Sequence, residues 1–354
     1  MNIIKKSERS VAIDFIRGIA ILLVIMGHSI EYGSGWDYFY NNRYFDSLIF
    51  KIIYSFHMPL FALVSGFLNY YSVANSRDCR HFIISKVKTL LFPVFIWSTT
   101  EYLIRIIIAC AKGNTGELSF EKYLSNMINS FWFLWALFFI SIVVLCVEKL
   151  LHNKVFYIFI IIILMLVPPV GNMQYFLFVM PYYVVGYMFH ENQEKSDGNS
   201  FFYRIWKNYT VLIFVATLLC WLGMICFYNI DSYIYTSQLY LFGYKGFCSQ
   251  LIIDIYRWLI GLFGTLLVIE LCMFVHFDEK NIAEKGVIVA GKTSLGIYIV
   301  SGYIFQVLLK LLSNSIPNIV VWVIETMIIT FSCIVVTAII RSNTFLSKAY
   351  LGGR

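Results

Sequence analysis

The chain has 354 residues, 60% of them hydrophobic and only 13% charged, with a formal net charge of +7. A water-soluble globular domain carries about 25% charged residues, so one large soluble core is excluded. The positive charge does not indicate a nucleic-acid partner, because the basic residues are split among short segments and form no continuous patch.

Apolar runs of about 20 residues, the length a helix needs to cross the hydrocarbon layer, recur from end to end. In chain order they are expected at 11–30, 47–72, 89–111, 130–148, 155–170, 173–190, 209–230, 256–276, 287–312 and 319–340. These ten runs predict an all-α, polytopic transmembrane helical bundle, one domain over 1–354, with residues 1–10 and 341–354 as cytoplasmic ends. The fifth and sixth runs are short and meet in "VPPVGNMQ" (Val167 to Gln174). They read either as two spans or as one broken re-entrant element.

Lys and Arg accumulate on the cytoplasmic side of membrane proteins. With the N-terminus inside and the spans alternating, seventeen Lys and Arg fall on inside segments and five on outside ones. Both termini are therefore expected in the cytoplasm. The first span resembles a signal peptide in its basic start and apolar core, but no small-residue cleavage site follows and Arg17 lies within it. It reads as a permanent helix. Of eight cysteines, six fall in or at the ends of apolar spans and none forms a C-x-x-C pair. Cysteine in such places behaves as a small apolar residue, so neither a disulfide framework nor a metal site is expected.

The first span, "DFIRGIAILLVIMGHS" (Asp14 to Ser29), carries charge where oil is expected. An ionisable group at the bilayer centre costs about 2.5–3.5 kcal/mol on insertion scales and by default marks a functional site. Arg17 and His28 are eleven positions apart, three turns of helix, so they share a face about 16 Å apart along the axis. Asp14 falls in the same stripe. The plain alternative is a snorkelling arginine and a histidine at a helix end; three polar groups on one stripe weigh against it. Among six histidines only His28 and His57 belong to the outer halves of spans. His57 lies in "SFHMPLFALVSGFL" (Ser55 to Leu68), where Pro59 and Gly66 permit a kink and Ser65 supplies a hydroxyl. A packed histidine bonded to helix backbone is the plain alternative for His57.

These residues resemble the acyltransferase-3 family of integral membrane O-acyltransferases. Its mark is an arginine, ten residues, then a histidine, as in Arg17 and His28. "SFHMPLFALVSGFL" looks like its second helix, and "KVKTLLFPVFIW" (Lys86 to Trp97) is similar to the basic entry of its third. "FWFLWALF", "MPYYVVGYMF" and "GKTSLGIYIV" resemble later landmarks in the expected order, so the likeness covers nearly the whole chain. One departure is Ser301, where many members have a histidine. Some members add an extracytoplasmic hydrolase-like domain; this chain is expected to be the stand-alone type.

The resemblance implies a bacterial inner-membrane O-acetyltransferase with acetyl-CoA as donor, a co-substrate rather than a bound cofactor. It implies a cell-envelope glycan or lipid-linked sugar as acceptor, and a homo-oligomer is compatible with it. The chemistry suits the residues. Acyl transfer to a hydroxyl needs a base or a nucleophile, and the imidazole of His28 can be either. Basic groups suit the phosphates of a CoA thioester. Arg17 is expected to hold them, with Arg77, Arg80, Lys86 and Lys88 around the next loop, although the positive-inside rule alone explains those four. A pantetheine arm reaching from Arg17 toward His28 gives the eleven-residue spacing a purpose. Asp14 is expected to position Arg17, and His57 to assist at the reacting end. Ser65, Trp132, Tyr298 and Glu325 are candidates for the acceptor, against packing as the plain alternative.

Glu101 and Arg105, and Asp254 with Arg257, have the spacing of helical ion pairs. Glu270 and Glu325 have no local partner in sequence. A transporter with Glu101, Glu325 and the histidines as proton relays is the rival reading. Against it stand the missing two-halves symmetry and the concentration of polar residues in the first two helices.

Overall fold

The structure, a computed structural model, describes residues 6–76, 78–113, 119–196, 201–236, 238–274, 281–311 and 316–353, with the side chains of all but 6–10, 201–203 and 207. Among the described residues the regular structure is helical, with no strand. The main helices are α1 (Lys6–Tyr32), α2 (Leu48–Ala74), α3 (Cys79–Lys112), α4 (Phe120–Ser130), α5 (Trp132–Leu151), α6 (Val155–Leu166) and α7 (Met173–Lys195). They continue as α8 (Thr210–Ile225), α9 (Phe247–Phe274), α10 (Ile282–Lys292), α11 (Ser294–Leu311), α12 (Ile319–Ser342) and α13 (Thr344–Leu351).

Seven of these, α1, α2, α3, α5, α9, α11 and α12, are long and apolar enough to cross a membrane. The apolar α6 and α8 are shorter, at 12 and 16 residues. α7 is long, but its last turns are polar, from His190 to Lys195. Each of the ten expected spans thus has a helix, and residues Val167–Asn172 separate α6 from α7. Two differences stand out. The ninth span is broken at Thr293 into α10 and α11. Both α3 and α5 contain a turn of π-helix, at Val87–Leu91 and Val147–Leu151, a wider winding often found at functional sites.

Helix starts carry the expected capping chemistry. The Ser47 hydroxyl accepts from the Phe50 backbone N–H at the head of α2. Asn318 and Asn343 do the same for α12 and α13. The residues after α12 do not form a loose tail: the Trp97 indole of α3 donates to the Tyr350 carbonyl of α13 at 3.0 Å.

α2 occupies the centre of the bundle, with much of its surface buried. It remains one continuous helix through Pro59. Gly66 serves contact rather than bending. A methyl group there would overlap the Tyr183 carbonyl of α7, and one at Gly186 would overlap the Leu63 carbonyl of α2. The pairing of 66 with 183 and 63 with 186 makes α2 and α7 antiparallel. Small residues of this kind let helices approach where hydrocarbon offers no hydrophobic driving force. A second crossing of the same type joins α1 to α10: Gly18 lies against the Val287 carbonyl and Gly291 against that of Asp14.

These crossings yield a stability prediction. Gly66→Val should destabilise the protein by about 1–3 kcal/mol through overpacking, read as earlier thermal unfolding in detergent. Gly223→Ala, where an added methyl meets nothing within 4 Å, should unfold like the native protein. Equal behaviour of the two variants would contradict the crossing.

Candidate active site

The site begins at Arg17 on α1. One guanidinium nitrogen donates to the Ser294 hydroxyl at 2.7 Å, and another lies 3.4 Å from the Asp14 carboxylate. Ser294 is the first residue of α11, so the break at Thr293 brings it here. The α1–α10 crossing at Gly18 and Gly291 delivers the break to this level. A serine hydroxyl and a carboxylate together give a guanidinium the acceptors it would otherwise seek in water.

From Arg17 a slot of about 80 Å³ runs between α1, α2, α3, α5 and α11. Its polar lining is Arg17, Ser65, Ser294 and Tyr298; the rest is aliphatic or aromatic, including Val24, Met58 and Phe133. The Tyr298 hydroxyl meets the Phe133 backbone. Three residues singled out in the sequence, Arg17, Ser65 and Tyr298, therefore share one cavity. Along α1 the slot extends from Arg17 to Val24, about 10 Å. The next residue of the stripe is His28, one turn further on.

α11 carries a matching stripe. Ser294 meets Arg17, Tyr298 lines the slot, Ser301 follows, and the Phe305 ring lies 5.5 Å from that of His28. The sequence offset is the same at Arg17–Ser294 and at His28–Phe305, so α1 and α11 run parallel and in register. Ser301, at the place where a histidine was considered, is buried and its hydroxyl donates to the Tyr298 carbonyl at 3.2 Å.

At the far end His28 stays about one-third exposed. Its Nδ1 lies 2.9 Å from Glu31 Oε2, and the Tyr54 hydroxyl donates to the same oxygen at 3.1 Å. Sequence reasoning missed both partners. The signal for Glu31 was present, since its three-residue spacing from His28 equals that of Asp14 from Arg17. Tyr54 comes from α2, and nothing in its sequence neighbourhood marks it. His57 is buried behind Tyr54, with the two rings edge-to-face at 4.6 Å, and its Nδ1 lies 2.8 Å from the Ile53 carbonyl. That is the packed, backbone-bonded arrangement.

The other candidates are dispersed. Lys86 is half-buried, its ammonium over the Phe82 ring at 5.1 Å, one turn before Leu90 on the slot wall. Arg80 and Lys88 are exposed on the same helix. Arg77 lies outside the described residues. Lys292 lies close enough to Asp14 for its charge to be felt there, and Arg341 at the end of α12 donates to the Lys292 carbonyl. The end of α12 therefore lies at the Arg17 end of the bundle. Trp132 packs on Tyr175 and Tyr235, with ring centres at 5.1 and 6.0 Å. Tyr235 in turn contacts Tyr54. Glu325 is not on the slot wall: its Oε2 lies against Gly33, just past the end of α1, without a hydrogen-bond partner among the described residues.

Tyr233 and Tyr235 belong to the segment between α8 and α9, which folds over Tyr54. Buried Arg257 holds it, donating to the carbonyls of Asp231, Ser232 and Gln238 and pairing with Asp254 at 2.9 Å. The expected Asp254–Arg257 pair is thus real, but its guanidinium also ties down a loop. Glu101 and Arg105 pair as well, at 2.6 Å, and Arg105 reaches Gln306 of α11.

Residues 10–341 match the family model described as an acyltransferase domain, acyltransferase 3. Nodulation protein NolL of Mesorhizobium japonicum is 23% identical over 344 residues, 95% of this chain and 87% of its own length. Nodulation protein NolL of Sinorhizobium fredii is 24% identical over 238 residues, 65% of this chain and 61% of its own. No solved structure matches.

The loop anchor is testable. Arg257→Ala leaves Asp254 buried without its cation, which should cost about 3–5 kcal/mol. It should also make Lys245, now paired with Asp231, an early trypsin site in detergent-solubilised protein. Unchanged stability and an intact loop would show that Arg257 does not hold it.

Proposed function

The chain belongs to the acyltransferase 3 family, a family of acyl-transferring enzymes, and on that premise we propose that it is a membrane O-acetyltransferase. The donor is acetyl-CoA from the cytoplasm, and the acceptor is a hydroxyl of a cell-envelope glycan or lipid-linked sugar. The membrane is the bacterial inner membrane.

One observation carries this reading: the slot that starts at Arg17 and runs up the α1 stripe to one turn short of His28. Its mouth combines a guanidinium, the first turn of α11 and nearby Lys86 and Lys292, a setting for phosphate. Its apolar walls suit the uncharged arm of a thioester rather than a nucleotide. Its upper end stops one turn short of the His28 imidazole. Arg17, positioned by Asp14 and Ser294, then holds the donor's phosphates, with Arg77, Arg80, Lys86 and Lys88 as the surrounding field. Ser65 and Tyr298 line the path of the arm. His28 is the base or the transient acyl carrier, and His57 supports it from behind Tyr54. Trp132 contributes to an aromatic layer on which a sugar can stack.

The rival transporter reading finds less support. Its proposed relay residues, Glu101 and Glu325, lie off the slot, the first paired with Arg105 and the second against Gly33.

A deletion strain complemented with native protein, His28→Ala or Arg17→Ala tests the proposal at matched membrane levels. Mass spectrometry should find ester-linked acetyl groups on envelope glycans with the native protein and none with His28→Ala. Losing a charge-assisted hydrogen bond worth about 1.5–3 kcal/mol, Arg17→Ala should need about 10- to 100-fold more donor. Undiminished esters with His28→Ala would overturn the assignment.

A further inference from the structure

We infer that Glu31 is a positioning residue for His28, assisted by Tyr54: its carboxylate fixes the imidazole hydrogen on Nδ1 and leaves Nε2 to accept the proton of the acceptor hydroxyl. The inference rests on the acyl-transfer reading above.

The geometry is specific. His28 Nδ1 and the Tyr54 hydroxyl both address one oxygen, Glu31 Oε2, at 2.9 and 3.1 Å. An ionised carboxylate only accepts, so the hydrogen of the short contact belongs to Nδ1, and the neutral ring presents its lone pair at Nε2. Tyr54 also lies 3.4 Å from Nδ1, too far to compete with the carboxylate. The phenol is itself fixed, stacked on Phe50 at 4.0 Å and met edge-on by Tyr233 and Tyr235. Glu31 is in the last turns of α1, only 13% exposed. A carboxylate there is costly. Its one ion-pair partner among the described residues is His28, a cation only when protonated. The pair therefore reaches full strength when the ring carries the transferred proton, an interaction stronger in the transition state than in the resting enzyme.

The step balances on this assignment. The acceptor hydroxyl gives its proton to Nε2 as its oxygen bonds to the thioester carbonyl carbon. The carbon–sulfur bond breaks, and Nε2 passes the proton to the departing thiolate. Throughout, Nδ1–H stays on Glu31, which neither gains nor loses a proton.

Membrane vesicles from the deletion strain expressing each variant, supplied with radiolabelled acetyl-CoA, separate kcat from KM. Glu31→Gln should lower kcat about 100-fold or more, as loss of an orienting carboxylate does in other imidazole bases, with KM for acetyl-CoA within about twofold. Glu31→Asp should restore part of kcat. Tyr54→Phe, which keeps the ring and removes one of two donors, should lose about 3- to 10-fold. A purely structural Glu31 would not separate kcat from KM in this way. Near-native kcat in Glu31→Gln beside an inactive His28→Ala overturns the assignment and leaves the acyl-transfer reading standing. Should Glu31→Gln fail to accumulate, Tyr54→Phe decides: an unchanged kcat there overturns the inference. Native vesicles that transfer no label overturn the acyl-transfer reading and this inference with it.

Discussion

A guanidinium inside hydrocarbon must be surrounded by acceptors, and satisfying Arg17 organises this molecule. Asp14 comes with it on the same helix. Ser294 does not; it reaches Arg17 because the chain breaks at Thr293 and turns back along α1. That break can sit at this level only because α10 presses its backbone against α1, which needs glycine at positions 18 and 291. Once Ser294 is fixed, α11 runs parallel to α1. The residues that follow on its stripe are then set as well, Tyr298 in the slot and Phe305 beside His28.

The opposite end is built by different means. Around His28 the partners are one carboxylate and rings from α1, α2 and α11, and the loop before α9 packs Tyr233 and Tyr235 on Tyr54. That loop stays in place through the carbonyls gathered by Arg257. The apolar slot starts at the first of these polar ends and stops one turn short of the second. In the proposed reaction it takes the uncharged arm and leaves the anionic part of the donor at the mouth. Placing Asp14, Arg17, His28 and Glu31 on one span costs about 2.5–3.5 kcal/mol for a central ionised group on insertion scales, and the surrounding contacts offset that cost.

Much of this was legible in the sequence. Length and hydropathy located ten helices, and the eleven-residue spacing put Arg17 and His28 on one face before any contact was known. What escaped depends on partners distant in sequence. "GKTS" (Gly291 to Ser294) carries helix stop and start residues, yet the apolar runs on either side read as one span; what fixes the break at this level is Arg17, 277 residues away from Ser294. The π turns in α3 and α5 leave the apolar period nearly unchanged and cannot be seen in it. Gly66 read as a hinge, yet it is a contact surface for α7. Asp254 and Arg257 read as a local pair, while the carbonyls that Arg257 gathers belong to a loop with no sequence signature. Glu325 has no local partner in sequence, and its Oε2 lies against Gly33, off the slot.

The central claim is that one stripe of α1 holds the donor at Arg17 and the reacting group at His28. It is tested most directly by an experimental structure of the protein in lipid nanodiscs with a non-hydrolysable acetyl-CoA analogue. The account predicts phosphate density at Arg17 and Ser294, the arm between Val24, Met58 and Tyr298, and the acyl carbon within reach of His28. Nucleotide bound elsewhere, with the slot empty or filled by a lipid chain, would contradict it.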